Sequence, residues 1–138
     1  MIETPLIIQL ANNRPTAAIA QLAAIIDQDG HADGDSVVDA HTEFHISLAR
    51  LSGNQTMQIV SEVLYHIVEK ANRSLQPTKG QRADRAHHRA AKTHAMVLDM
   101  IKAGEAEKAA ELWNRHLKKG EEYVLSGVEL STVVDLLE

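Results

Sequence analysis

The sequence predicts an all-α fold, an antiparallel bundle of six or seven helices. Three observations carry that prediction. Apolar residues recur at spacings of three and four rather than two, the period of a helix face. Ala and Leu are abundant while 138 residues hold only 7 Gly and 3 Pro, a balance that favours helices. The few Gly, Pro, Ser and Asn fall between the periodic stretches, where helices start and stop.

Each element follows in order. A first short helix is expected from about Pro5 to Ala11. A second runs from about Pro15 to Gln28, opened by Arg14-Pro15-Thr16 and closed just before Gly30. A third spans about Asp35 to Leu51 and stops at Ser52-Gly53. A fourth begins at Asn54, a favourable N-cap residue, and continues to about Arg73. Its apolar stripe is Met57, Val60, Leu64, Ile67 and Ala71, with His66 at the edge. The segment Gln76 to Gly80 reads as a loop. A fifth helix covers about Arg82 to Ala103 and ends at Gly104. A sixth covers Ala106 to about Leu125, and a last short one Leu130 to Leu137. Short links favour consecutive helices lying antiparallel side by side.

Composition bounds the function. The length fits one domain spanning residues 1–138, with no internal repeat and no sign of a second domain. A hydrophobic share of 44% and a charged share of 24% are globular values. Aromatics make up 3%, so the core is expected to be aliphatic. Cys is absent, which excludes disulfides, thiolate metal sites and Cys nucleophiles and suits a reducing cytoplasm. A net charge of -5 argues against a general nucleic-acid binder. No apolar run spans a bilayer, and no signal peptide is evident.

Histidine placement carries the chemistry. The inward stripe of the third helix is Val37, His41, Phe44, His45, Leu48 and Leu51. His41 and His45 are four apart, so their rings lie about 40° apart around the axis, one turn above the other. The fifth helix sets His94 among Ala90, Val97, Leu98 and Ile101. The sixth sets His116 among Ala109, Leu112, Trp113, Leu117 and Tyr123. His94 lies ten residues before Gly104 and His116 twelve after it. At about 1.5 Å per residue both stand roughly 15–18 Å from the turn, so an antiparallel hairpin brings them level. A single His on an apolar face is more often a hydrogen-bonded core residue than a ligand. Four on three helices are harder to accommodate that way, because each unpaired buried nitrogen costs free energy that a shared cation removes. His41, His45, His94 and His116 are therefore the candidate metal ligands. His87, seven residues before His94, shares its face and is a candidate for lining an effector cavity beside the metal. His31, His66 and His88 read as loop, edge and surface residues.

Catalytic constellations are missing. His41-Thr-Glu-Phe-His45 is not the zinc-protease motif, which needs Glu directly after the first His. Glu43 instead points about 200° away from His41 around the helix. No inward Glu-x-x-His of the di-iron type occurs, nor a nucleophile elbow or phosphate-binding glycine loop. The expectation is a protein that is not an enzyme. An enzyme built on an all-His metal centre is the rival reading, and a structural dimerisation module with packing histidines is a third.

Two stretches resemble a known family. Phe44-His45-Ile46-Ser47-Leu48 followed by Ser52-Gly53-Asn54 is similar to the first signature of the FCD domain. His94 to Ile101, Gly104-Glu105, Ala109 and His116-Leu117 resemble its second. FCD domains are the C-terminal effector-binding, dimer-forming domains of FadR-type regulators in the GntR family. The resemblance implies an antiparallel bundle, a homodimer, a divalent metal with zinc or nickel favoured, and a small carboxylate effector bound at or beside it. It places metal ligands at His45, His94 and His116. The fourth family position, an Asp four residues before the first signature's His, is here His41. Asp39 is no substitute, lying six residues from His45. All-nitrogen donors favour zinc, nickel or copper over manganese or magnesium, and a more positive centre favours an anionic effector. These regulators carry an N-terminal winged helix-turn-helix, which this sequence lacks ahead of the bundle. The chain alone is therefore expected not to bind DNA directly, nor a membrane.

Overall fold

The computed structural model of the chain describes residues 3–29, 35–51, 53–75 and 81–125. Its elements are α1 (Glu3–Asn13), α2 (Thr16–Asp29), α3 (Asp35–Leu51), α4 (Gln55–Leu75), α5 (Gln81–Lys102) and α6 (Ala106–Leu125). Among the described residues every element is helical, as the spacing predicts. The short helix expected over Leu130 to Leu137 lies outside the described residues.

The helix ends follow local chemistry. Helix α1 starts two residues earlier than expected, because Pro5 sits in its first turn, where a missing N–H costs no helical hydrogen bond. It ends where Arg14 adopts a positive φ of 46° and its N–H bonds the Leu10 carbonyl at 2.7 Å. Asn54 caps α4 as anticipated, its Oδ1 accepting from the Met57 N–H at 3.1 Å. The turn after α5 is a Schellman motif: Glu105 N–H bonds Met100 at 2.9 Å and Gly104 N–H bonds Ile101 at 3.0 Å, with Gly104 at φ 73°.

Packing is only partly sequential. α3 packs on α4, α5 on α6 and α2 on α3, as short links favour. The linked pair α1 and α2 does not pack together among the described residues; α1 lies instead against α6, and α2 against α5. The Arg14-Pro15 corner joins them, a left-handed residue followed by a ring-locked φ. The core joins Leu6, Ile7 and Leu10 of α1, Leu22 of α2, Phe44 and Leu48 of α3, Val97, Leu98 and Ile101 of α5, and Trp113 of α6. It is aliphatic except for Phe44 and Trp113, and those two aromatics mark where the histidines gather.

Helix α4 departs from expectation. Of its apolar stripe, Val60, Leu64 and Ile67 are exposed, and Ile59 and Val63 beside them still more so at 64% and 58%. Ser61 and Tyr65 face inward instead: Ser61 is buried, and the Tyr65 hydroxyl lies 3.0 Å from the His45 ring. Periodicity identifies a face that prefers burial but not what covers it. Here α3 takes the other side of the helix.

Candidate metal centre

The centre forms where three buried faces meet. On α3, His45 follows Phe44 on the side that also buries Leu48. On α5, His94 stands one turn before Val97 and Leu98 and is fully buried. On α6, His116 stands one turn after Trp113, half-buried. The Gly104 turn sets the register of α5 against α6, and the two rings meet level, as their distances from the glycine require. His94 Nε2 lies 3.0 Å from His116 Nε2, and His116 Nε2 lies 3.4 Å from His45 Nε2. One ligand atom from each of the three residues can be chosen so that all lie within 4.8 Å of one another.

A carboxylate not anticipated from the sequence stands behind the trio. Glu3, in the first turn of α1, is buried. Its Oε1 lies 3.0 Å and its Oε2 3.2 Å from His45 Nδ1, and Oε2 accepts the Trp113 indole N–H at 3.0 Å. The Tyr65 hydroxyl lies 3.0 Å from the same Nδ1 and hydrogen-bonds Glu3 as well. Burial foremost, then the Glu3 charge and this hydrogen bond, raises the Tyr65 pKa, so its phenol keeps a proton to donate. Thr4, next in sequence, donates its hydroxyl to Asn114, tying the start of α1 to α6.

Proton positions follow from the donor inventory. A carboxylate only accepts, so His45 Nδ1 must carry the proton that bonds it. The His45 Nε2 lone pair then points at His94 and His116. His116 is held neutral: burial first, then the neighbouring His45 and Lys119, pushes its pKa down to about 3.

Aromatic packing fixes the rings. Phe44 stacks on His94 with centroids 4.3 Å apart and planes 9° from parallel. Trp113, fully buried, lies against all three, its ring centroid 5.0 Å from His45, 5.5 Å from His94 and 4.9 Å from His116. Such a shell excludes water from the side of the trio facing the core.

The remaining candidates fall elsewhere. The backbone of His41 is helical within α3, and its side chain lies outside the described residues. His87 is half-buried on α5 and is not part of the three-histidine group. His66 borders an outer hollow between α3 and α4 that Glu43, Arg50 and Glu62 also line. Glu43 points there, bonded to Arg50 Nη1 at 2.9 Å and to Ser47 Oγ at 3.3 Å, in keeping with its exclusion as a protease base. The unanticipated residues are Glu3 and Tyr65, together with the hydrogen bond of Trp113. Glu3, Leu6, Ile7 and Leu10 do share a helical stripe, a signal available in the sequence.

The donor set fits a cation. Two nitrogens bound to one ion at about 2.0–2.1 Å, at angles between square and tetrahedral, sit about 2.8–3.4 Å apart. The two Nε2 separations, 3.0 and 3.4 Å, fall within that range. A carboxylate on the far nitrogen of a ligating His is the usual outer support. No helix among the described residues is long and apolar enough to cross a membrane. No curated protein and no solved structure matches the chain. The sequence pattern of the FCD domain matches residues 1–119, a span holding both histidine signatures and all three converging rings, and the chain belongs to the FCD family, the effector-binding domains of GntR-type regulators.

Proposed function

We propose that this chain, as one domain, senses a small organic acid through a bound divalent transition metal and signals through a homodimer within a transcription regulator of the cytoplasm. The observation that carries this is the convergence of His45, His94 and His116 through their Nε2 atoms where α3, α5 and α6 meet. In this reading the three are metal ligands and His41 is the fourth. Nitrogen donors and the neutral charge of imidazole favour zinc or nickel. The effector is a carboxylate that adds an oxygen ligand from the side of His116, the partly exposed member of the trio, and His87 lines its approach. A bound metal supplies a positive charge that recognises the acid.

Sensing rather than catalysis is supported by the fate of the acids. Glu3 is spent on the far side of His45, and Glu43 faces the outer hollow. Neither stands where a metal-bound water would be activated. The homodimer is supported by the apolar face of α4, where Ile59, Val60, Val63, Leu64 and Ile67 form a contiguous stripe suited to a second copy. A net charge of -5 disfavours contact of this domain with DNA phosphates.

Metal analysis of untagged protein tests the reading. One zinc or nickel per chain is expected, with a rise in melting temperature on adding either ion. Calorimetry with a panel of small carboxylates should show binding that disappears with EDTA. Protein that holds no transition metal and shows no thermal shift would overturn it, and turnover of an acid would convert it to the enzyme reading.

A further inference from the structure

We infer that Glu3 is a positioning residue that selects the tautomer of His45 and so holds its Nε2 open to a cation. The inference rests on the metal reading above but adds a residue from α1, outside the three converging helices. Its basis is a count of donors and acceptors. The two Glu3 oxygens meet two N–H groups: Oε1 is the nearer to His45 Nδ1 at 3.0 Å, and Oε2, 3.2 Å from the same nitrogen, takes the Trp113 N–H at 3.0 Å. The indole can only donate, so one oxygen is always committed to it. The other fixes the proton on His45 Nδ1. Tyr65 reinforces the choice, because its hydroxyl donates to Glu3 and leaves an oxygen lone pair toward the same Nδ1.

Replacing Glu3 by Gln keeps the shape and breaks the count. Gln has one oxygen and one NH2. The oxygen must stay with Trp113, since an amide NH2 against an indole N–H places two donors together. The NH2 then takes the place of Oε1, the nearer of the two to His45 Nδ1, and a donor there favours Nδ1 as an acceptor. Tyr65, released from the carboxylate, can turn its own proton toward the bare Nδ1. The His45 proton moves to Nε2, where it blocks the metal position. The double change Glu3→Gln with Trp113→Phe removes the indole donor. The Gln oxygen is then free to turn to His45 and restore the original tautomer. A role that was merely structural would not produce loss in the single variant and recovery in the double.

The experiment is nitrogen-15 NMR of the histidine rings of the full chain without metal, paired with zinc competition titration. Wild type should show His45 protonated at Nδ1. Glu3→Gln should show it protonated at Nε2, with zinc affinity reduced about 10–100-fold, the usual effect of losing an outer-shell partner. The double variant should regain the Nδ1 proton and most of the affinity. An unchanged tautomer in Glu3→Gln, or a flipped tautomer with unchanged zinc affinity, would overturn the inference. If no variant nor wild type binds zinc yet the tautomer flips and reverts as described, Glu3's control of His45 stands and the metal reading fails.

Discussion

Trp113→Phe probes the link between core packing and the site. Trp113 is fully buried and touches Phe44 and all three converging histidines. Phenylalanine keeps one aromatic ring and loses the pyrrole portion with its N–H. The apolar atoms removed are worth about 1 kcal/mol of transfer free energy. A residual void of roughly 40 Å³ adds about 1 kcal/mol at about 24 cal/mol per Å³. Glu3 Oε2 loses its donor at 3.0 Å, and a buried charged acceptor deprived of a hydrogen bond costs about 1.5–3 kcal/mol. His45 and Tyr65 still serve the carboxylate, so the lower end applies, and the sum is about 3–4 kcal/mol. Urea unfolding at fixed protomer concentration reads this directly, and a fall in melting temperature of roughly 10 °C should accompany it. A loss of about 2 kcal/mol or less would mean that the indole–carboxylate bond contributes nothing beyond packing. The double-mutant cycle with Glu3→Gln sharpens the test. In Glu3→Gln the indole holds the amide oxygen and leaves the NH2 against His45, and Trp113→Phe relieves that opposition. The costs should therefore fall short of additivity by more than about 0.5 kcal/mol, and additive costs would refute the coupling.

Other expectations are as concrete. Gly104→Ala forces a β-carbon onto φ 73°, where the added strain is about 1–2 kcal/mol; the Arg14 guanidinium 3.4 Å away is a mobile tip that can yield, so an unchanged melting curve would contradict the strain argument. Asn54→Ala removes the cap on the Met57 N–H and should cost about 1 kcal/mol in urea unfolding, a neutral result showing that water replaces the side chain. His41→Asp should retain metal but move its preference toward manganese and magnesium in competition titrations, and His41→Ala with unchanged zinc affinity would reduce the ligand set to three. Val63→Asp puts a charge on the exposed face of α4 and should shift sedimentation from dimer to monomer; a dimer that persists, or a wild type that is already monomeric, removes α4 from the interface.

The parts of the site that were legible in the sequence were those fixed by a local origin. Gly104 sets a common zero for α5 and α6, so counting ten and twelve residues from it is enough to bring His94 and His116 level. Asn54 likewise announces its own helix. Glu3 was hidden for two physical reasons. Pro5 looks like a helix start, which leaves Glu3 outside the helix, and an acid near a helix N-terminus is ordinarily accounted for by the macrodipole. Its inward direction depends on α1 lying against α6, a pairing of segments some 110 residues apart that no local pattern encodes. Tyr65 was missed for the opposite reason. The apolar stripe of α4 is real, but it is the outward face, so the polar side that reaches His45 looked like the solvent side.

The same long-range pairing makes the site a device for holding helices together. His45, His94 and His116 come from α3, α5 and α6, while Glu3 and Tyr65 bring α1 and α4 to the same point. Unfolded chain does not offer this arrangement, so an ion bound there stabilises the folded bundle by mass action. On the proposed reading linkage is reciprocal: by whatever factor the docking of the first turn of α1 raises the affinity for the ion, through Glu3 and the His45 tautomer, the bound ion favours that docking by the same factor. On the proposed reading the two ends of that coupling differ in kind, one a coordination bond and the other the seating of a helix. On that same reading, a domain that turns the presence of a small acid into a change of shape needs such a connection. Here it runs through one buried carboxylate that accepts from an imidazole on one side and an indole on the other.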